Sequence, residues 1–114
     1  MAQVKQGRVV TASGQSQSSA FVLGTETLVG LYTPAALDAE ELKIQASHDG
    51  ASFADVIDDG EAFTVSADEG AYIALSPAKF LGAAQVRFVH LDSGGAPVAE
   101  TAERVLRPVF RTFE

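Results

Sequence analysis

A chain of 114 residues with 46% hydrophobic and 20% charged positions has the size and composition of one folded domain, not of a disordered chain. It has no cysteine, which excludes a disulfide framework and a thiolate metal site, and no asparagine, which excludes N-glycosylation. The net charge is −7, and residues 38–69 hold ten acids against one base, Lys43, which argues against a basic nucleic-acid-binding face.

The first residues, Met1 to Arg8, lack the apolar run of a signal peptide, and no stretch approaches the roughly 20 apolar residues of a membrane span. Synthesis and assembly in the cytoplasm are expected, with no membrane partner. Residues 1–7 read as a flexible N-terminal arm and residues 8–114 as a single domain. Within that domain, strand-forming residues recur in short runs bounded by Gly, Pro, Asp or Ser. The runs are Arg8–Ala12, Ser18–Leu23 and Leu28–Tyr32, then Leu42–His48, Phe53–Ile57 and Ala62–Ser66. Tyr72–Ser76, Gln85–Phe88 and Val105–Phe113 complete the series.

Period-two alternation is clearest at Leu42, Ile44, Ala46 and His48 against Lys43, Gln45, Ser47 and Asp49. Pro108 interrupts the last run, so a bulge or an edge position is expected there. Asp49-Gly50 reads as a hairpin turn, and Asp58-Asp59-Gly60-Glu61 as a second hairpin turn kept soluble by its charge. Thr33–Leu42 and Ser76–Leu81 have room only for short helical turns, the latter with Ser76 as N-cap and Pro77 at the first position. Together these signals predict an all-β fold, an antiparallel β-sandwich or jelly roll of about eight or nine short strands.

The search for chemistry returns little. Gly14-Gln15-Ser16-Gln17-Ser18 approaches a nucleophile elbow but ends in Ser where Gly is required. His48 and His90, the only histidines, fall on inward phases of their strands and are expected to be partly buried and hydrogen-bonded. Two histidines without cysteine make a poor zinc set, and the acids at 58–61 lack the spacing of an EF-hand loop, leaving at most a weak surface calcium ion. No catalytic residue, metal ligand or cofactor is assigned. Arg104, Arg107 and Arg111 concentrate positive charge near the C-terminus. They are expected either to pair with the acidic middle segment or to form an interface with an acidic partner.

Several segments in order resemble a family of small virion proteins of tailed bacteriophages. They are Gly30-Leu31-Tyr32-Thr33-Pro34, then Leu42–Phe53 with its Ser-x-Asp-Gly turn, then Tyr72–Gly82, then the strand Gln85–Val89. The longer excursion Val89–Gly95 departs from the family pattern. The resemblance implies a head decoration or cement protein that binds the outer surface of a capsid, without enzymatic activity. Its partner would be the major capsid protein or another virion protein, and its location the virion, assembled in the host cytoplasm. Capsid symmetry admits a homo-trimer or a monomer. A tail or head-fibre component that contacts the host surface, through glycan binding, is the alternative.

Overall fold

The computed structural model of the protein describes residues 4–112, so Met1–Gln3 of the expected arm, and Phe113 and Glu114, lie outside the described residues. Twelve strands form two main antiparallel sheets and a small hairpin, confirming the all-β sandwich. Sheet 1 contains β1 (Val4–Gln6), β2 (Val9–Thr11), β4 (Thr27–Tyr32), β10 (Tyr72–Ala74) and β12 (Arg104–Arg111). Sheet 2 contains β3 (Phe21–Val22), β5 (Glu41–Ser47), β6 (Ala54–Asp55), β9 (Thr64–Ser66) and β11 (Gln85–Leu91). The separate ribbon is β7 (Ile57–Asp58) with β8 (Glu61–Ala62).

The count exceeds the expectation because two long strands each pair with an interrupted neighbour. Along one edge of β12, β1 covers Val109–Arg111 and β2 covers Arg104–Leu106. Along one edge of β5, β9 covers Glu41–Lys43 and β6 covers Gln45–Ala46, with the β7–β8 ribbon looped out between them. Residues 4–6 are therefore an exposed edge strand rather than an arm. The break between β1 and β2 falls at Gly7, where a Cβ would overlap the Phe21 ring.

Pro108 sits in an interior strand, and the break explains how. The Gly7 N–H donates to the Pro108 carbonyl at 2.8 Å. In an extended residue the N–H side faces the same edge as the carbonyl, so the missing donor falls at the β1–β2 seam, where no ladder bond is lost. The expected irregularity lies next to the proline. Val109 pairs with Gly30 and Phe110 with Leu28, which leaves Val29 as an extra residue on β4. This bulge resets the phase of β4, and both Leu28 and Leu31 therefore point into the core.

The core lies between the sheets. Leu28, Leu31 and Leu106 from sheet 1 meet Leu42, Ile44, Val86 and Phe88 from sheet 2. The expected turn at 76–81 is a 3₁₀ helix, Pro77–Phe80, which inserts Phe80 beneath the sheets; Ser76 makes no side-chain cap bond. No helix forms over residues 33–42. Its backbone donors are engaged elsewhere: Leu37 N–H by Glu69, Asp38 and Ala39 N–H by Glu100, and Glu40 N–H by the Leu91 carbonyl.

Of the two expected hairpin turns, only the second is tight. Ser47–Phe53 is a seven-residue loop, since β5 and β6 pair only from Ala46 to Ala54. Gly50 takes the positive φ there, while the Asp49 carboxylate accepts the Ala51 and Ser52 N–H groups. Those bonds, with one from the Ser47 hydroxyl, pull the Asp49 carboxyl down to about 2. The tight hairpin is at Asp59-Gly60, both at positive φ, as a two-residue type I′ loop requires.

Core packing and exposure give opposite expectations for two apolar truncations. Phe88→Ala should cost about 3–5 kcal/mol in urea unfolding, whereas Leu81→Ala, on an exposed residue, should stay within about 0.5 kcal/mol. Equal losses in the two variants would contradict this placement of the core.

Candidate functional site: a buried polar network and an acid-free sheet face

The most chemically loaded cluster is closed to solvent. His90, on β11, is fully buried; its Nε2 lies 2.7 Å from the Thr11 hydroxyl on β2, and its Nδ1 lies 3.0 Å from Glu100 Oε2. Glu100, also buried, accepts Asp38 N–H and Arg104 Nε at 2.8 Å, and Ala39 N–H at 2.9 Å. Arg104 reaches on to Asp38 at 3.3 Å, and Asp38 accepts the Thr101 N–H at 2.7 Å.

Burial alone would raise the Glu100 carboxyl. The backbone donors of Asp38 and Ala39, Arg104 and His90 overcome it and hold the group below the usual carboxylate range. His90 is shifted downward, because burial disfavours the imidazolium more strongly than Glu100 favours it. A neutral ring with Nδ1–H donating to Glu100 and Nε2 accepting from Thr11 satisfies all three side chains.

The order Thr11–His90–Glu100 has the hydrogen-bond sequence of a nucleophile, base and orienting acid. Its three members are 0%, 0% and 1% exposed, so no substrate reaches the hydroxyl. The arrangement acts as a structural clamp. His90 thus has the hydrogen-bonded, buried role expected of it. His48 does not: β5 ends at Ser47, and the imidazole is exposed beside the Asp49 loop. Ser18, in the near-miss nucleophile motif, is buried alongside β11 and accepts the Phe88 N–H.

The three C-terminal arginines divide. Arg104 belongs to the buried clamp and pairs with Asp38 of the acidic segment. Arg111 is half-buried at the end of β12, opposite Val4 and Thr27. Arg107 is exposed on the outer face of sheet 1, where the register aligns it with Tyr32 on β4 and then Tyr72 on β10. The two tyrosine rings pack at 4.9 Å between centroids and remain 45% and 48% exposed. Tyr72 leans across Gly30, where a Cβ would collide with its ring.

Arg8 extends the row. It lies between Gly7, bonded to Pro108, and Val9, paired with Leu106, and so stands opposite Arg107. Both arginines are exposed, and neither has an ion-pair partner among the described residues. Like charges directly opposite on a sheet are destabilising. The strands of sheet 1 contain Lys5, Arg104, Arg107 and Arg111 and not one acid, in a chain of net charge −7. Sequence reading had isolated Arg107 but not Arg8, Tyr32 or Tyr72, because the row exists only once four separate segments are in register.

A second recess, of about 520 Å³, lies between the 47–57 segment and the 3₁₀ helix, lined among others by Phe53, Asp55, Ile57 and Lys79. Among the described residues no group of three or more His, Asp or Glu side chains is placed to hold a metal ion, and no helix is long and apolar enough to cross a membrane.

No protein-family model matches the sequence, and no curated protein matches it. Among solved structures, the SPBc2 prophage-derived protein YomS superposes with a TM-score of 0.61 over 98% of this chain and 96% of that one, at 13% identity. The chain shares that protein's fold. A chain of the cyanophage Pam1 capsid asymmetric unit aligns with a TM-score of 0.41 at 16% identity, over 96% of this chain and 82% of that one.

The clamp and the Asp49 loop make stability pH-dependent with a defined sign. Glu100, Asp38, Asp49 and His90 all have folded pKa values below their ordinary ones. Each therefore contributes stability above its unfolded pKa that is lost as pH falls towards the folded one. The melting temperature should fall from below about pH 6.5, the histidine part, and further below about pH 4, the carboxylate part. His90→Gln should lose the first part, and Glu100→Gln should cost about 3 kcal/mol or more at pH 7, because Arg104 and two backbone donors lose their anion. A flat pH profile between 7 and 5 in the native protein would contradict the neutral, buried imidazole.

Proposed function

We propose that the protein is a structural component of a phage virion, a decoration or cement protein that binds the outer surface of a capsid and acts by binding rather than catalysis. The observation that carries this reading is the outer face of sheet 1, where two arginines without an ion-pair partner among the described residues stand beside a packed tyrosine pair, on a sheet whose described strands contain no acid. Tyrosine and arginine are the residue types enriched at the centre of protein interfaces. An acidic protein surface would relieve the Arg8–Arg107 repulsion, which nothing in the described fold relieves.

The fold shared with a prophage-derived protein supports the phage setting. The sealing of the Thr11–His90–Glu100 clamp supports a non-catalytic role. The partner is a major capsid protein or another virion protein. Cementing would follow from multivalency: each added contact across neighbouring subunits is paid only once in translational entropy, so modest faces sum to firm attachment.

The test adds purified protein to phage heads lacking it. Co-sedimentation and a raised rupture temperature are expected, and Arg107→Glu with Tyr72→Ala should lower head occupancy at least about tenfold, the loss of one central contact. Failure of the native protein to sediment with heads, together with unchanged rupture, would overturn the reading. Binding to phage tails or host glycans in parallel assays, with none to heads, would transfer the function to a tail or head-fibre component.

A further inference from the structure

The β7–β8 ribbon mirrors the arginine row with the opposite sign. Asp58 and Glu61 stand directly opposite one another, and Asp59 forms the tip with Gly60. Only Asp58 is neutralised, by Lys79 at 3.2 Å, while Asp59 and Glu61 are exposed with no ion-pair partner among the described residues. Beside them Ile57 is 61% exposed. The ribbon pairs only with itself, so its position is not explained by any ladder it completes.

We infer that the acidic surface taken by the Arg8–Arg107–Tyr32–Tyr72 row is the β7–β8 ribbon of a second copy of this chain; this rests on reading that face as a contact surface. One molecule cannot make the contact with itself, because the row faces outward from sheet 1 and the ribbon springs from sheet 2. The row spans four strand positions, roughly 14 Å at the usual strand spacing. That length accommodates the ribbon tip, with Asp59 and Glu61 against the two arginines; Ile57, which the register places on the opposite face of the ribbon, stays outside the contact.

The unpaired charges of the two surfaces, Arg8 and Arg107 on one and Asp59 and Glu61 on the other, neutralise each other in the contact. The two surfaces differ, so the association is head-to-tail. Successive copies form a closed ring or an open chain, depending on the rotation between them. The row holds one occupant at a time, so free copies associate through it and a capsid surface competes with the ribbon for it.

The experiment is sedimentation velocity of the full chain at low and high salt. The native protein should self-associate at low ionic strength and dissociate as salt screens the exposed charges. Arg107→Glu alone and the double variant Asp59→Asn, Glu61→Lys, in which Asn keeps the positive φ of the turn, should each weaken association at least about tenfold, with unchanged melting temperatures showing intact folds. Mixed in equal amounts, the two variants should associate again, because the unaltered acidic ribbon of the Arg107→Glu variant meets the unaltered arginine row of the other. A native protein that stays monomeric up to about 1 mM at low salt would overturn the inference. So would a ribbon variant that associates like the native chain, or a mixture that remains dissociated. Head co-sedimentation is scored separately: a monomer that still binds heads sinks self-association alone, and a self-associating protein that ignores heads sinks only the capsid reading.

Discussion

The ionised carboxylate of Glu100 is the point on which the rest of the architecture depends. It is buried between the sheets, and it holds the N–H groups of Asp38 and Ala39, the guanidinium of Arg104 and the ring of His90. Through His90 it reaches Thr11, so one side chain connects β2, β11, β12 and the crossing segment that leads into β5. A buried anion is costly unless its lone pairs are fully engaged. Here both oxygens are occupied, and the same bonds satisfy backbone donors that an irregular segment would otherwise leave unpaired. The polar cluster therefore fixes the route of the chain between the sheets, which apolar packing alone, being non-directional, would leave loosely specified.

The clamp also explains why charge is distributed unevenly outside it. It consumes Arg104 and Asp38, the cation and the acid nearest the join between the sheets. Beyond it, sheet 1 retains Arg107 and Arg111 with no acid in any strand. Sheet 2 and the ribbon retain Glu41, Asp55, Asp58 and Glu61, partly offset by Lys43 and Arg87. Lys43 with Asp55 and Lys79 with Asp58 show that acids on that side are paired locally where a cation is within reach. No equivalent local pairing reaches Arg8 and Arg107. The sandwich is thus polarised, basic on one outer face and acidic at the far edge.

Much of the fold was legible in the sequence because alternation reports which residues face the core. Leu42, Ile44, Val86 and Phe88 were readable in this way, and all are buried. What escaped was anything set by a local break in that alternation. The bulge at Val29 turns Leu28 and Leu31 to the same side, which period two forbids in a regular strand. The end of β5 at Ser47 puts His48 outside although its phase pointed in. The helical turn expected over 33–42 failed for a different reason: Glu69 and Glu100 supply its backbone donors with partners from 32 to 62 residues away, a competition that no local propensity reveals. The candidate face was legible only as the isolated Arg107, since pairing it with Arg8, Tyr32 and Tyr72 needs the register of four strands.

Gly30 makes the last connection between fold and surface. At a central strand position a glycine forgoes side-chain packing and weakens the strand, so its retention asks for a compensating contact. Tyr72 supplies one: its ring occupies the space a Cβ would fill, and it lies flat on β4 beside Tyr32 rather than projecting into solvent. Two aromatic rings held in this way have already lost most of their rotamer freedom before any partner arrives. Ordering flexible side chains is a main cost of forming an interface, and here the sheet has borne it in folding. In the proposed binding role, the polarity of the sandwich selects the surface that approaches this face, and the glycine sets the rigidity with which it is met.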